Sequence, residues 1–327
     1  MCDNPSSENN WDFHCLVKCQ RWNFSDLKEI NRNYLSLQCR KNTGAMKLEI
    51  GVNELHVPMV PFRHPCLKDI INLQCKTDRA VPKIIHYVWL GPKVREFKFE
   101  NFLSAYSAYK FLKPCLMFFH GETIPFGPRW DYLLKIVPNI VHVYREAPVS
   151  IFGTKLGHIE HKADIARLEA VLEYGGIYID TDTVILRSLD PLRDYNFTLS
   201  KAFDYNLSNG LIMSVPNATF ANIWYREYKS YNPKQWGVHS TILPFRLSKK
   251  YPNLIHTEEK TFVRPNAGEL KMLFEENFNW SKNYAIHLYV RFYRKYKYNI
   301  NVIRTLNTTM GSLARHVLFG SKELCIQ

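Results

Sequence analysis

Residues 158–187, HIEHKADIARLEAVLEYGGIYIDTDTVILR, constrain the fold more than any other stretch of this chain. Ile165, Leu168, Ala170, Val171 and Leu172 give an apolar stripe near helical spacing, with Asp164, Arg167 and Glu169 at polar positions. Tyr174-Gly175-Gly176 ends that helix, because glycine enters the left-handed conformation of a C-cap without a Cβ clash. Ile177, Tyr178 and Ile179 then read as one short β run, and Val184, Ile185 and Leu186 as another. Asp180 and Asp182 stand at the interruption between the two.

An Asp-x-Asp by itself admits two readings. Short acidic tripeptides sit in solvated turns, where Asp side chains bond nearby backbone amides. The other reading starts from charge: two acids between hydrophobic strands, with no basic residue before Arg187, repel each other unless a cation neutralises them. Hard oxygen ligands suit Mg²⁺ or Mn²⁺, which commonly complete their octahedron with substrate phosphates and water.

Strand and helix patterns alternate upstream of this block. Residues 84–90 read as a strand, 99–111 as a helix, 115–119 as a strand, 130–136 as a short helix and 140–144 as a strand. Such alternation predicts an α/β fold with a parallel sheet flanked by helices, and a ligand at the carboxyl ends of the strands, where Trp89 and Asp180 fall. Residues 1–80 read as a separate N-terminal extension, with a helix near 25–33 and a strand-like LEIGVNELHV at 48–57. Residues 81–327 form the main domain in this reading.

Three blocks, in order, resemble the retaining sugar transferases of glycosyltransferase family thirty-two, typified by fungal α-1,6-mannosyltransferases, animal α-1,4-galactosyltransferases and clostridial glucosylating toxins. They are VPKIIHYVWLG at 81–91, HKADIARLEAVLEYGGIYIDTD at 161–182, and AIHLYV at 285–290. The resemblance implies a GT-A-like, Rossmann-related catalytic domain. It also implies that Trp89 stacks on the nucleotide base and that Asp164 and Arg167 contact the donor sugar or diphosphate. Tyr178, Asp180 and Asp182 match the family's Tyr-x-Asp-x-Asp pattern, in which the first Asp meets the ribose and metal shell and the second binds metal. His287 resembles the late metal or diphosphate ligand, although the residue two positions on is Tyr289 rather than Trp, followed by Val290 rather than Asn. Asn209-Gly210 resembles an Asn-Gly at the acceptor side of the donor site.

Each residue also has a structural reading. Trp89 suits a core aromatic, Asp164 and Arg167 an intrahelical ion pair, His287 a satisfied core histidine, and Asn209-Gly210 a β-turn. As a whole the chain is read as a metal-dependent glycosyltransferase that moves a hexose, with Mn²⁺ or Mg²⁺ as cofactor and a UDP-sugar as donor, to a glycan or glycolipid acceptor. Two other classes fit parts of the sequence. One is a non-catalytic protein of the same fold that binds nucleotide sugar or glycan. The other is a phosphatase in which IYIDTDTV supplies Asp180 as nucleophile; it is disfavoured because the last Asp of the chain is Asp204, leaving no later Asp pair for magnesium.

The net charge of +13 raises nucleic acid as a partner, but the basic residues are scattered apart from one run at 291–297. The charge is therefore read as a bias toward anionic substrates and membrane surfaces, not nucleic acid. Six Asn-x-Ser/Thr sequons, at Asn23, Asn196, Asn206, Asn217, Asn279 and Asn307, and eight cysteines fit the Golgi lumen that the resemblance implies. No run of about 18 apolar residues occurs, so the anchor usual in animal members is expected to be missing from this sequence, as in a truncated or secreted form.

Overall fold

The computed structural model of the protein describes residues 16–17, 49–50, 56–76, 78–91, 93–293 and 297–325. The helix expected at 25–33, the Asn23 sequon, four of the cysteines and the middle of the basic run lie outside the described residues.

The centre is an eight-stranded sheet. Its strands are β1 (Met59–Pro61), β2 (Ile84–Val88), β3 (Leu116–Gly121), β4 (Ile140–Tyr144), β5 (Gly176–Ile179), β7 (Phe197–Phe203), β8 (Asn206–Ser214) and β9 (His256–Glu258), while β6 (Thr183–Ile185) pairs outside it with β10 (Ala285–His287). The order across the sheet is β9-β7-β8-β5-β2-β3-β4-β1. Strands β5, β2, β3, β4 and β1 run parallel, β8 is antiparallel to both its neighbours, and β9 lies parallel to β7.

Every residue of β2, β3 and β5 is buried, as expected of parallel strands covered on both faces. The pleat sends Ile85, Tyr87, Met117, Phe119, Ile177 and Ile179 to one core, against α2 (Phe99–Leu112), α3 (Pro128–Ile136) and α7 (Thr309–Phe319). On the opposite face Val88, Tyr178 and Ile212 meet α4 (Ile159–Tyr174) and α5 (Thr219–Glu227), and Ile84 and Phe118 meet α1 (Pro65–Gln74). Helix α6 (Leu243–Lys250) follows α5 on this side through Leu247. This is the α/β class, with a parallel centre flanked by helices, expected from the alternation.

The Gly-Gly stop works as its chemistry requires. Gly175 and Gly176 have φ of 64° and 100°, and a Cβ on Gly176 would stand 2.4 Å from the Ile84 carbonyl oxygen, so glycine lets β5 start hard against β2. Two differences from the sequence reading stand out. The edge strand β1 comes from the segment expected to form an extension. Asn209 and Gly210 lie inside β8, so the β-turn alternative for them does not hold.

Cys75, after α1, is bonded to Cys115, before β3. Cys66 and Cys325 are disulfide-bonded as well. Among the described residues no helix is long and apolar enough to cross a membrane.

Candidate active site

Strand β5 delivers Asp180 to the carboxyl edge of the sheet, where its N–H donates to the Gly210 carbonyl at 2.8 Å. The chain then turns, with Thr183 N–H donating to the Asp180 carbonyl at 2.9 Å, and leaves as β6. Pairing of β6 with β10 puts His287 opposite Thr183 and beside Asp182. The Asp-x-Asp is thus a turn, as one reading held, but a turn whose side chains face a cleft.

Ligand atoms of Asp180, Asp182 and His287 lie within 4.8 Å of one another. His287 Nε2 is 3.0 Å from Asp182 Oδ1 and 3.7 Å from Asp180 Oδ2, and Asp182 Oδ2 accepts the Val290 N–H at 3.1 Å. Burial opposes charge on both groups. It is outweighed by their mutual attraction, which holds the Asp182 carboxyl below its usual range and the His287 imidazole above its own. The departure at Tyr289 keeps an aromatic where one is needed, since its ring stacks on His287 with centroids 3.9 Å apart. Two carboxylates and an imidazole, with His287 Nδ1 buried and unpartnered among the described residues, form a donor set that suits a divalent ion such as Mn²⁺.

Helix α4 supplies the opposite wall. Arg167 is 6% exposed and Asp164 7%, so theirs is not a solvent-facing pair. Arg167 Nη1 lies 3.1 Å from Asp180 Oδ1 and donates to the Asn209 carbonyl at 2.8 Å, whereas its Nη2 is 3.5 Å from Asp164 Oδ1. The guanidinium sits 4.6 Å from the centroid of the Tyr178 ring, and the Tyr178 hydroxyl donates to Asp180. Asp164 accepts from Asn209 Nδ2 at 2.7 Å. Burial raises the Asp164 pKa against the pull of Arg167 and Asn209. Burial works against the charge on Arg167 too, but Asp180, Tyr178 and Asp164 together raise its pKa.

This network corrects one inference from sequence. The two acids do not depend on an external cation for compensation, because Arg167 reaches Asp180 from a helix turn upstream and His287 reaches Asp182 from a strand far downstream. The case for a metal therefore rests on the donor set and not on repulsion.

Gly210 has a role that the sequence reading missed. A Cβ there would stand 2.8 Å from His287 Nδ1, closer than real Cβ contacts, and 3.0 Å from Asp180 Oδ2, tighter than most of them. Glycine lets β8 pass behind the Asp180–His287 pair without displacing either side chain. The Asn-Gly dipeptide was the available signal, but its meaning needed the third dimension.

Trp89 is a core aromatic that also borders the cleft. The ring is 5% exposed and packs on Phe97, with centroids 5.8 Å apart, yet it also lines the cleft. Its outer face carries the Arg95 guanidinium, 4.6 Å from the ring centroid and anchored by an Arg95 Nη2 donation to the Leu90 carbonyl at 2.7 Å. A stacked base would share or displace that cation. Trp89, Asp164, Arg167, Tyr178, Asp180, Asp182, Asn209 and His287 all line one cleft of about 690 Å³.

A glycosyltransferase sugar-binding region containing a DXD motif is matched by residues 115–198, which hold β3 through β6 and the Asp180-Thr181-Asp182 turn. Over this region the chain is similar to the DXD-containing sugar transferases. Among curated proteins it is 33% identical to glucan organizing enzyme 1 of Cryptococcus neoformans over 65% of this chain and 63% of that protein. It is 25% identical to human alpha-1,4-N-acetylglucosaminyltransferase over 50% of this chain and 46% of the relative. The chain thus spans between about half and two thirds of the length of these relatives. Among solved structures it is similar to the glycosyltransferase GlyE of Streptococcus pneumoniae TIGR4, with a TM-score of 0.42 and 12% identity, over 65% of this chain and 54% of that one.

Proposed function

We propose that the protein transfers a hexose, with retention at the anomeric carbon, from a UDP-sugar to a hydroxyl of a glycan or glycolipid, using Mn²⁺ or Mg²⁺. The observation that carries this reading is the convergence in one cleft of Arg167, Asp180 and Asp182, from the matched region, with His287 from far downstream of it. Bound by those three side chains, a divalent ion supplies positive charge to a diphosphate leaving group.

The protein's own groups do the positioning. Arg167 presents a planar fork, already charged and already held by Asn209 and Tyr178, to the phosphates or the sugar. Because its partners are in place before the donor arrives, little reorganisation is needed when charge develops on the leaving oxygen. Asp164, fixed by Asn209, offers an acceptor for a sugar hydroxyl. Trp89 and Arg95 form the wall against which the base lies. The three acids nearest the reaction are held by Arg167, Asn209, Tyr178 or His287, so none is a free nucleophile of the kind retaining glycosidases use. That supports attack by the acceptor on the face the leaving group departs from, with the departing phosphate guiding the acceptor proton.

Residence in the Golgi lumen, with the protein near a membrane surface, belongs to the same reading. Its support is the Cys75–Cys115 disulfide and the exposed sequons Asn196, Asn217, Asn279 and Asn307. Asn206 is a different case because it lines the cleft, where a glycan would obstruct the donor.

The test is a panel of UDP- and GDP-sugars incubated with the protein and Mn²⁺, read by release of the nucleoside diphosphate without acceptor. Slow release from one donor, abolished by EDTA, is the expected result. A folded protein that binds UDP with Mn²⁺ yet releases sugar from no donor would instead be a binding module.

A further inference from the structure

The cleft has a second wall for which the donor has no use. Among the described residues, three exposed large hydrophobic side chains line it, Ile159, Trp236 and Phe292, and they come from three separate segments of the chain. Trp236, between α5 and α6, is 52% exposed. It is nevertheless held in place: the His161 ring lies 5.1 Å from its centroid, His158 meets it edge-on at 5.5 Å, and the Arg291 guanidinium sits 5.4 Å away. His161 is fixed in turn by a hydrogen bond between its Nδ1 and the Tyr231 hydroxyl. Arg291 Nη1 pairs with Glu160 Oε1 at 3.3 Å, and both members of that pair are open to solvent.

A braced indole with a solvent-facing ring, beside a planar carboxylate–guanidinium pair, matches the two faces of a pyranose. The C–H face of a sugar ring packs on an aromatic plane, and vicinal hydroxyls take the paired acceptors of a carboxylate and the paired donors of a guanidinium. Position supplies the second half of the argument. An acceptor hydroxyl must reach the sugar carried at Asp180 and Arg167, so its subsite has to open on the same cleft, as the Trp236 wall does. We infer that Trp236, with Glu160 and Arg291, is the subsite for the ring of a neutral acceptor sugar. This rests on the sugar-transfer reading of the cleft.

Saturation-transfer NMR with methyl glycosides of galactose, glucose, mannose and N-acetylglucosamine, in the presence of UDP and Mn²⁺, tests the assignment. At least one glycoside should bind the wild type, bind Trp236→Ala at least tenfold more weakly, and recover most of its affinity in Trp236→Phe. UDP affinity by calorimetry should be equal in all three proteins, which separates loss of the subsite from loss of the fold. Binding of the same glycoside to Trp236→Ala with wild-type affinity, or binding of none of the four to the wild type, would overturn the inference. A wild type that does not bind UDP would remove the transferase reading instead.

Discussion

Arg167→Lys separates catalytic from structural chemistry at the centre of the site. On sequence alone the Asp164–Arg167 pair had the value of an exposed helical pair, a few tenths of a kcal/mol. The structure changes that magnitude, because the guanidinium is buried and makes four polar contacts, to Asp180, the Asn209 carbonyl, Asp164 and, through Nε at 3.3 Å, the Ala163 carbonyl. A lysine ammonium can keep the two contacts made by Nη1 and loses the other two. The longest of these, at 3.5 Å to Asp164, is a weak charged contact and the other a neutral bond, together worth about 1–2 kcal/mol. The melting temperature should therefore fall by only a few degrees, roughly 1.5 °C per kcal/mol at about 2.1 cal/mol/K of unfolding entropy per residue. Turnover should fall much further, about a hundredfold or on the order of 3 kcal/mol, because a point charge cannot reproduce the two-pronged contact. Scanning fluorimetry and UDP release from the preferred donor give the two numbers. A mutant with near-wild-type turnover and a lowered melting temperature would reduce Arg167 to a structural counter-ion.

Gly210→Ala should fold, lose about 1–3 kcal/mol of stability by overpacking, and bind Mn²⁺ with UDP at least tenfold more weakly, since the new methyl pushes Asp180 and His287 apart. Calorimetric titration decides it, and wild-type affinity would mean that the pair is not a ligand set. Trp89→Ala should weaken UDP binding by roughly 1–3 kcal/mol if the indole carries the base, and its burial predicts an added fall in melting temperature. A melting shift with unchanged UDP affinity would leave Trp89 a core residue only. Stability should also fall with acid in a defined window. Burial pushes His86 from 6.5 down to about 4, its Nε2–H donating to the Gly175 carbonyl at 2.7 Å. The unfolded chain thus binds a proton that the folded one refuses, so stability is full above pH ~6.5, lower by about 2 kcal/mol at pH 5, and falls until pH ~4. Urea unfolding at pH 7 and pH 5 measures this, and Phe at position 86 should flatten part of the difference.

The four central parallel strands could be read in the sequence, because fully buried strands and glycine stops leave strong local marks, whereas the other four of the eight were not read as strands. IIHYV, the Gly-Gly pair and IYI fell where expected, and all eight residues nominated for the site line one cleft. What stayed hidden was long-range pairing. Nothing local tells that His287 will face Thr183 across β6 and β10, that Arg167 will compensate Asp180, or that 59–61 will close the sheet edge beyond β4. The reading of Asp182 as an uncompensated acid failed for the same reason. Both its carboxylate oxygens have protein donors, so Asp182→Asn should cost some stability instead of relieving repulsion.

The central claim is that Asp180, Asp182 and His287 act together as a metal-diphosphate site, and Mn²⁺-dependent UDP binding tests it most directly. In calorimetry, wild-type protein should bind UDP with Mn²⁺ at least tenfold more tightly than in EDTA, and Asp182→Asn and His287→Ala should each abolish that difference while remaining folded. UDP affinity that is the same with Mn²⁺ and with EDTA, or a full Mn²⁺ effect in both mutants, would contradict the account.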